Sequence, residues 1–283
     1  PIGIKEQDAI ELRKWARQIW AYFDNFVNQE NNYLPPDNVQ LEPYKGVAPR
    51  TSPTNIGLAM LANLAAEDLG YISKYTTLKR ITCSLKTIRK LPKWKGHIYN
   101  WYNTVTLEPL WPIYISTVDS GNFATYLIAL KNGLHEFLKR PIVETTVLHG
   151  LKDTLRLQME EQDSHKEEVI VIYNSELDNL LNSQQKFSIS SLYRFISQWL
   201  GKLTELEKEK GTNFWFTALI NMHRDYAQCL ERYFPFLKSK NRLKIAEDFS
   251  ELTLREVIKK YLELQKNQAV SSSAEVIRLI KVG

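Results

Sequence analysis

Arg50, Asn55, Asn100, Asp119 and Asn122 stand in three short polar junctions beside hydroxyls and aromatic rings. Forked guanidinium donors, two-sided amides, alcohols and flat ring faces together suit a neutral, hydroxyl-rich ligand. The junctions read Arg50-Thr-Ser-Pro-Thr-Asn-Ile-Gly57, Gly96-His-Ile-Tyr-Asn-Trp-Tyr102 and Ser116-Thr-Val-Asp-Ser-Gly-Asn122. Thr51, Ser52, Thr54 and Ser120 add hydroxyls, and Tyr99, Trp101 and Tyr102 supply faces on which sugar rings can rest. His97, isolated in a polar aromatic loop, can donate to a ligand hydroxyl or cap a backbone group; both roles stay open.

Each group also has a plainer use. Thr51, Ser52 and Thr54 can cap the helix that follows them, and ligand contact and capping are compatible. Asp119 or Ser120 suits the N-cap of a later helix. Trp111, between Pro109 and Pro112, reads as a packed loop anchor rather than a platform, and Glu108 as a solvated loop residue. Hydrolysis or transfer of a glycosidic bond needs two carboxylates, about 5 Å apart for retention or about 6.5 to 9.5 Å for inversion. Only Asp119 and Glu108 lie in the junctions, and Glu108 is the weaker candidate. HExxH, GxSxG, GxxxxGK[ST] and GxGxxG patterns are absent, and His135 with Glu136, and His223 with Asp225, lack metal-ligand spacing. No metal or cofactor is expected.

The elements that must hold these junctions are helices. Ile10, Leu12, Trp15, Ile19, Tyr22, Phe23 and Phe26 recur at intervals of three and four, which predicts an amphipathic helix over 5–29, stopped by Pro35-Pro36. A second, apolar nearly all round, spans Thr54 to Leu69 and closes at Gly70. A third runs from a Ser73 cap to about Lys90, a fourth, also apolar nearly all round, from about Ser120 to Leu138, and a fifth from about Val143 to Gln162. Glu168-Val-Ile-Val-Ile-Tyr173 reads as either strand or helix. Long helices follow over Ser190–Lys208, Asn213–Tyr233 and Leu252–Leu264, then a Ser271-Ser-Ser273 loop and a last short helix. Alternation of helices apolar nearly all round with two-faced ones is the pattern of an inner ring wrapped by an outer one. The expected fold is all-α: an incomplete (α/α) toroid of paired helices, extended by further long helices. In such a toroid the loops entering the inner helices gather at one end, which would bring the junctions to one cleft.

Composition narrows the partners. The chain has 283 residues, 37 basic and 32 acidic, so its formal charge of +5 is a small surplus on a balanced surface. The densest basic run, Lys79 to Lys95, has helical spacing and reads as a solvated face rather than a nucleic-acid patch. Cys83 and Cys229 lack paired spacing, consistent with a reducing compartment. No stretch approaches the roughly 18 to 20 apolar residues of a membrane span. The chain opens at Pro1 without Met and closes on Lys281-Val-Gly283, and it is expected to be a piece of a longer polypeptide.

The three junctions, extended to Leu58 and to Thr104 and preceded by Asn32-Tyr-Leu-Pro-Pro-Asp-Asn38, resemble in order and spacing the motif series of the glucoamylase-like region of cyclic β-1,2-glucan synthases. The resemblance covers about residues 10 to 140 and implies a domain split at 140, with 141–283 an additional helical region. It implies a soluble segment of a large bacterial inner-membrane enzyme, on the cytoplasmic side, whose middle region cyclises a linear β-1,2-glucan by retaining transglycosylation in an (α/α)6 barrel. The family's catalytic glutamates lie in Ser-Glu-Ala-Arg and Met-Phe-Glu-Tyr motifs, and neither occurs here. Asn103 stands where the family usually has Asp, leaving a neutral contact. The expected role is therefore half a barrel that supplies glucan-binding subsites to a catalytic half elsewhere in the polypeptide. Its partners would be β-1,2-glucan and the remaining domains of that polypeptide. The alternative is a non-catalytic carbohydrate-binding or scaffold module.

Overall fold

The computed structural model describes residues 3–161, 168–183, 188–210 and 213–238, with 252, 253, 255–257 and 259. The chain is predominantly α-helical and separates into two compact units, 1–68 with 75–135, and 69–74 with 136–283.

The first unit holds helix α1 Glu6–Phe26, α2 Pro53–Asp68, and all but the end residues of α3 Lys74–Lys90 and α4 Thr117–Phe137. The core gathers Leu34, Ile56, Met60, Ile81, Ile88, Leu91, Ile98, Tyr102 and Leu130. α1 ends at Phe26, well before Pro35-Pro36: Val27 leaves the helical conformation at φ −88° and ψ 71°, and Asn32 and Tyr33 then turn the chain at positive φ. The apolar residues of α1 spread round much of its circumference, and one side only can face inward. Arg17, Trp20 and Ala21 are buried, whereas Leu12, Trp15 and Ile19 stay exposed. Arg80 closes that inward side: it donates to Asn63 Oδ1 (2.8 Å) and the Phe23 carbonyl (2.6 Å), with its guanidinium 5.0 Å from the Trp20 ring centre. One member of the basic run is thus part of the packing.

α2 is the buried helix that its composition predicts, with Ile56, Ala59, Met60, Asn63 and Ala66 inside. α4 is not. Leu130 and Phe137 are its buried apolar residues, while Val118 and Ile128 are 70% and 63% exposed. Apolarity all round shows that a helix can be covered on every side, and the described residues cover α4 on one. That side meets α2 closely, since a Cβ at Gly57 would lie 2.4 Å from Tyr126 Cδ2.

The segments between α1 and α2 and between α3 and α4 hold strands of two residues each: β1 Val39–Gln40 pairs with β2 Gly46–Val47, β3 Arg50–Thr51 with β6 Tyr102–Asn103, and β4 Lys93–Trp94 with β5 His97–Ile98, all antiparallel. Lys95 and Gly96 make the β4–β5 turn at φ +47° and +87°, a conformation that suits glycine.

In the second unit, α5 Thr146–Glu161, α6 Glu168–Leu181, α7 Ile189–Lys210 and α8 Phe214–Tyr233 pack as α5 on α6 and as α5 and α7 on α8. Asn213 caps α8 by accepting from the Phe216 N–H at 2.8 Å. The β-branched run at 168–173 is helical, because Ile170, Tyr173 and Leu177 then share one buried face; packing overrides the strand propensity. The expected 252–264 helix lies largely outside the described residues, and the Ser271–Ser273 loop and last helix entirely so.

Candidate functional site

Two aspartates organise the junctions of the first unit. Asp37 follows the buried Pro35-Pro36, and Asn38 leads into β1. Its Oδ2 accepts from Arg50 Nε (3.1 Å) and Nη2 (2.9 Å), and its Oδ1 from Asn55 Nδ2 (3.2 Å). The Arg50 guanidinium carbon lies 5.2 Å from the Trp101 ring centre, so one side chain ties a carboxylate to an aromatic ring. Tyr22 sits nearby: its hydroxyl donates to the Pro36 carbonyl at 2.5 Å, and burial, then the Asp37 charge, push its pKa up to about 12.

Asp119 lies in the first turn of α4, where the helix dipole favours a negative charge. Its Oδ1 accepts from Thr54 Oγ1 at 2.7 Å, and Asn122 Nδ2 in turn donates to Thr54 at 3.2 Å. Asn100 completes the ring of contacts. With its amide nitrogen toward Asp119 it donates to Oδ2 at 2.9 Å, while its oxygen accepts from Tyr114 Oη at 2.7 Å and Trp101 Nε1 at 2.9 Å. The continuous chain Asp37, Arg50, Trp101, Asn100, Asp119 therefore links the amino-terminal loop to the start of α4. Thr54 and Asn55, neighbours in the first turn of α2, each hold one of the two carboxylates.

Of the residues singled out in the sequence, Arg50, Thr54, Asn55, Asn100, Trp101, Asp119 and Asn122 come together. The others lie elsewhere. Ser52 caps α2, its hydroxyl accepting from the Asn55 N–H at 3.2 Å. The α4 cap is Ser116, which accepts from the Asp119 N–H at 3.1 Å, so Asp119 and Ser120 are not the cap. Thr51 and Tyr102 are fully buried. The Tyr102 hydroxyl donates to the Pro92 carbonyl and accepts from the Tyr99 N–H, both at 2.7 Å, and burial pushes its pKa up to about 12. Tyr99 leans on that core, its ring centre 6.3 Å from that of Tyr102. His97 is exposed on the β4–β5 hairpin, with no hydrogen bond to the cluster among the described residues. Asn103 shapes its own loop by accepting from the Val105 and Thr106 N–H groups at 2.8 and 3.0 Å.

Asp37 and Tyr114 were not among the predicted ligand contacts. Asp37 lies inside the Asn32–Asn38 motif and Tyr114 in the Pro-rich stretch after the second junction, so both were within view. Trp111 is 86% exposed and is not a packed anchor.

Residues 14–131 match a family described as a protein of unknown function (DUF3131), a span that contains every member of this cluster from Tyr22 to Asn122. Over 138 residues the chain is 45% identical to the cyclic beta-(1,2)-glucan synthase NdvB of Rhizobium meliloti. The amino-terminal part of this chain is related to that synthase. The matched stretch takes in 49% of this chain and 5% of the length of the synthase. Among the described residues no helix is long and apolar enough to cross a membrane, and no three His, Cys, Asp or Glu side chains gather to hold a metal ion.

Proposed function

We propose that the first unit lines a glucan cleft within a cyclic β-1,2-glucan synthase-type polypeptide, and that it binds the sugar chain without supplying the groups that break or make a glycosidic bond. The observation that carries this reading is the way Asp119 is held. Thr54 and Asn100 occupy its two oxygens, and the Trp101 ring and the Asn122 amide lie one contact further on. Such a network fixes a carboxylate as an acceptor for sugar hydroxyls. Asp37 is fixed likewise, with Arg50 on one oxygen and Asn55 on the other. Hydroxyl acceptors beside an aromatic face are what a pyranose ring needs on its edge and on its flat side.

The transglycosylation, its catalytic glutamates and the retaining outcome belong to the remainder of such a polypeptide on this reading. The held carboxylates equally fit a stand-alone, non-catalytic carbohydrate-binding module. Calorimetric titration of the whole chain with linear β-1,2-, β-1,3- and β-1,4-glucans tests the proposal. Saturable heat with the β-1,2-linked chain in preference to the others supports it, and a folded chain that ignores all three refutes it. Hydrolysis or disproportionation of β-1,2-glucan by this chain alone would overturn the non-catalytic part.

A further inference from the structure

Trp111 has the most exposed large apolar side chain among the described residues, at 86%, yet its backbone is tightly placed. Pro109 and Pro112 restrict the chain on either side of it. On one arm of this loop the Leu110 N–H donates to the Trp101 carbonyl at 2.9 Å, and Tyr102 bridges to Pro109. On the other arm the Asn100 N–H donates to the Tyr114 carbonyl at 2.9 Å, and the Tyr114 hydroxyl reaches the Asn100 amide at 2.7 Å. The loop that carries Trp111 is thus stitched on both sides to the two residues, Asn100 and Trp101, that connect Arg50 to Asp119. The backbone on both sides of Trp111 is held next to Asn100 and Trp101, while the indole itself stays exposed. Ile113 and Tyr114, 43% and 45% exposed, continue the apolar face toward Asn100.

We propose that Trp111 is a distal sugar platform, which makes the site select for long glucan chains over short ones. The inference rests on the glucan-binding reading above and deepens it by naming a residue that sets the preferred chain length. One sugar is held at Asp119 and Trp101, and a unit further along the same chain stacks on Trp111. The loop of Trp111 is hydrogen-bonded to Asn100 and Trp101, the residues that tie Arg50 to Asp119, so a further ring of a sugar chain held at that cluster is the occupant its indole face suits.

The test is the affinity of the full chain for linear β-1,2-glucans of increasing length, for wild type, Trp111→Ala and Trp111→Tyr. Wild type gains affinity with length. Trp111→Ala loses about fivefold on long chains and nothing on the shortest chain that binds, and Trp111→Tyr, which keeps a flat ring, restores most of the loss. Because the side chain is exposed, all three proteins should melt at the same temperature. Equal weakening on short and long chains, or no change on either, overturns the inference while the glucan reading stands. Failure of the wild-type chain to bind at any length overturns both.

Discussion

The two units hold similar side chains to opposite ends. In the second, Tyr173, Trp199, His223 and Phe195 gather with a carboxylate at hand, a set that on paper resembles a site. Tyr173 and Trp199 meet edge to face with centroids 4.9 Å apart, Trp199 Nε1 donates to Glu176 at 2.7 Å, and Tyr173 and His223 are wholly buried. His223 Nδ1 donates to the Leu219 carbonyl at 2.9 Å, which leaves Nε2 to face the Tyr173 hydroxyl at 3.4 Å. These polar atoms are satisfied within the protein. In the first unit the rings and carboxylates are equally well connected but reach solvent: Arg50 is 51% exposed, Asp37 21%, and Trp111 stands clear. Residue type names the chemistry available; access to solvent decides whether a ligand can use it.

That contrast can be broken most forcefully at Trp199. Trp199→Ala removes a side chain that is 1% exposed and takes the partner from Glu176, so chemical denaturation should show a loss of about 4 kcal/mol, with glucan affinity retained by the folded fraction. A loss of affinity in folded Trp199→Ala protein would join the two regions functionally.

The next effect is one of pH. Burial holds the His223 imidazole down at about 4 in the folded chain, against 6.5 for an exposed histidine. The unfolded chain therefore takes up this proton first as pH falls. Its contribution is complete above about pH 6.5 and declines toward about pH 4, by about 3 kcal/mol in all. His223→Phe should flatten that slope in melting curves recorded across the window, whereas an unchanged slope would assign it to other groups.

In the first unit the effects are read in affinity. Asp119→Ala leaves Thr54 and Asn100 without their shared acceptor and should weaken glucan binding about tenfold, with a smaller change in melting temperature. Arg50→Lys keeps the charge but loses the fork on Asp37 and the planar contact with Trp101. About threefold weaker binding is expected by thermophoresis, and full affinity would show that the Asp37 link is dispensable.

The helices were legible because a three-and-four spacing of apolar residues survives in the sequence whatever covers them. α6 was ambiguous because Val169, Ile170, Val171 and Ile172 fit either period over so short a run. α4 misled because apolarity on all sides does not reveal what lies against it. The site was half legible. The junctions are right as segments, but a two-residue strand sends alternate side chains to opposite faces. The register pairs Arg50 with Asn103 and Thr51 with Tyr102. The first pair therefore faces the cluster side and the second the core, a division that no spacing within either junction encodes. Asp37 was passed over because its neighbours Pro35-Pro36 read as a helix stop, although Phe26 already ends the helix.

The central claim is that the first unit carries a glucan site built round Asp119 while the second unit's aromatic cluster is core. One calorimetric comparison tests it most directly: wild type, Asp119→Ala and His223→Phe, each confirmed as folded, titrated with long linear β-1,2-glucan at neutral pH. Wild type and His223→Phe should bind alike, and Asp119→Ala about tenfold more weakly. Equal binding by all three, or weakening by His223→Phe alone, would contradict it.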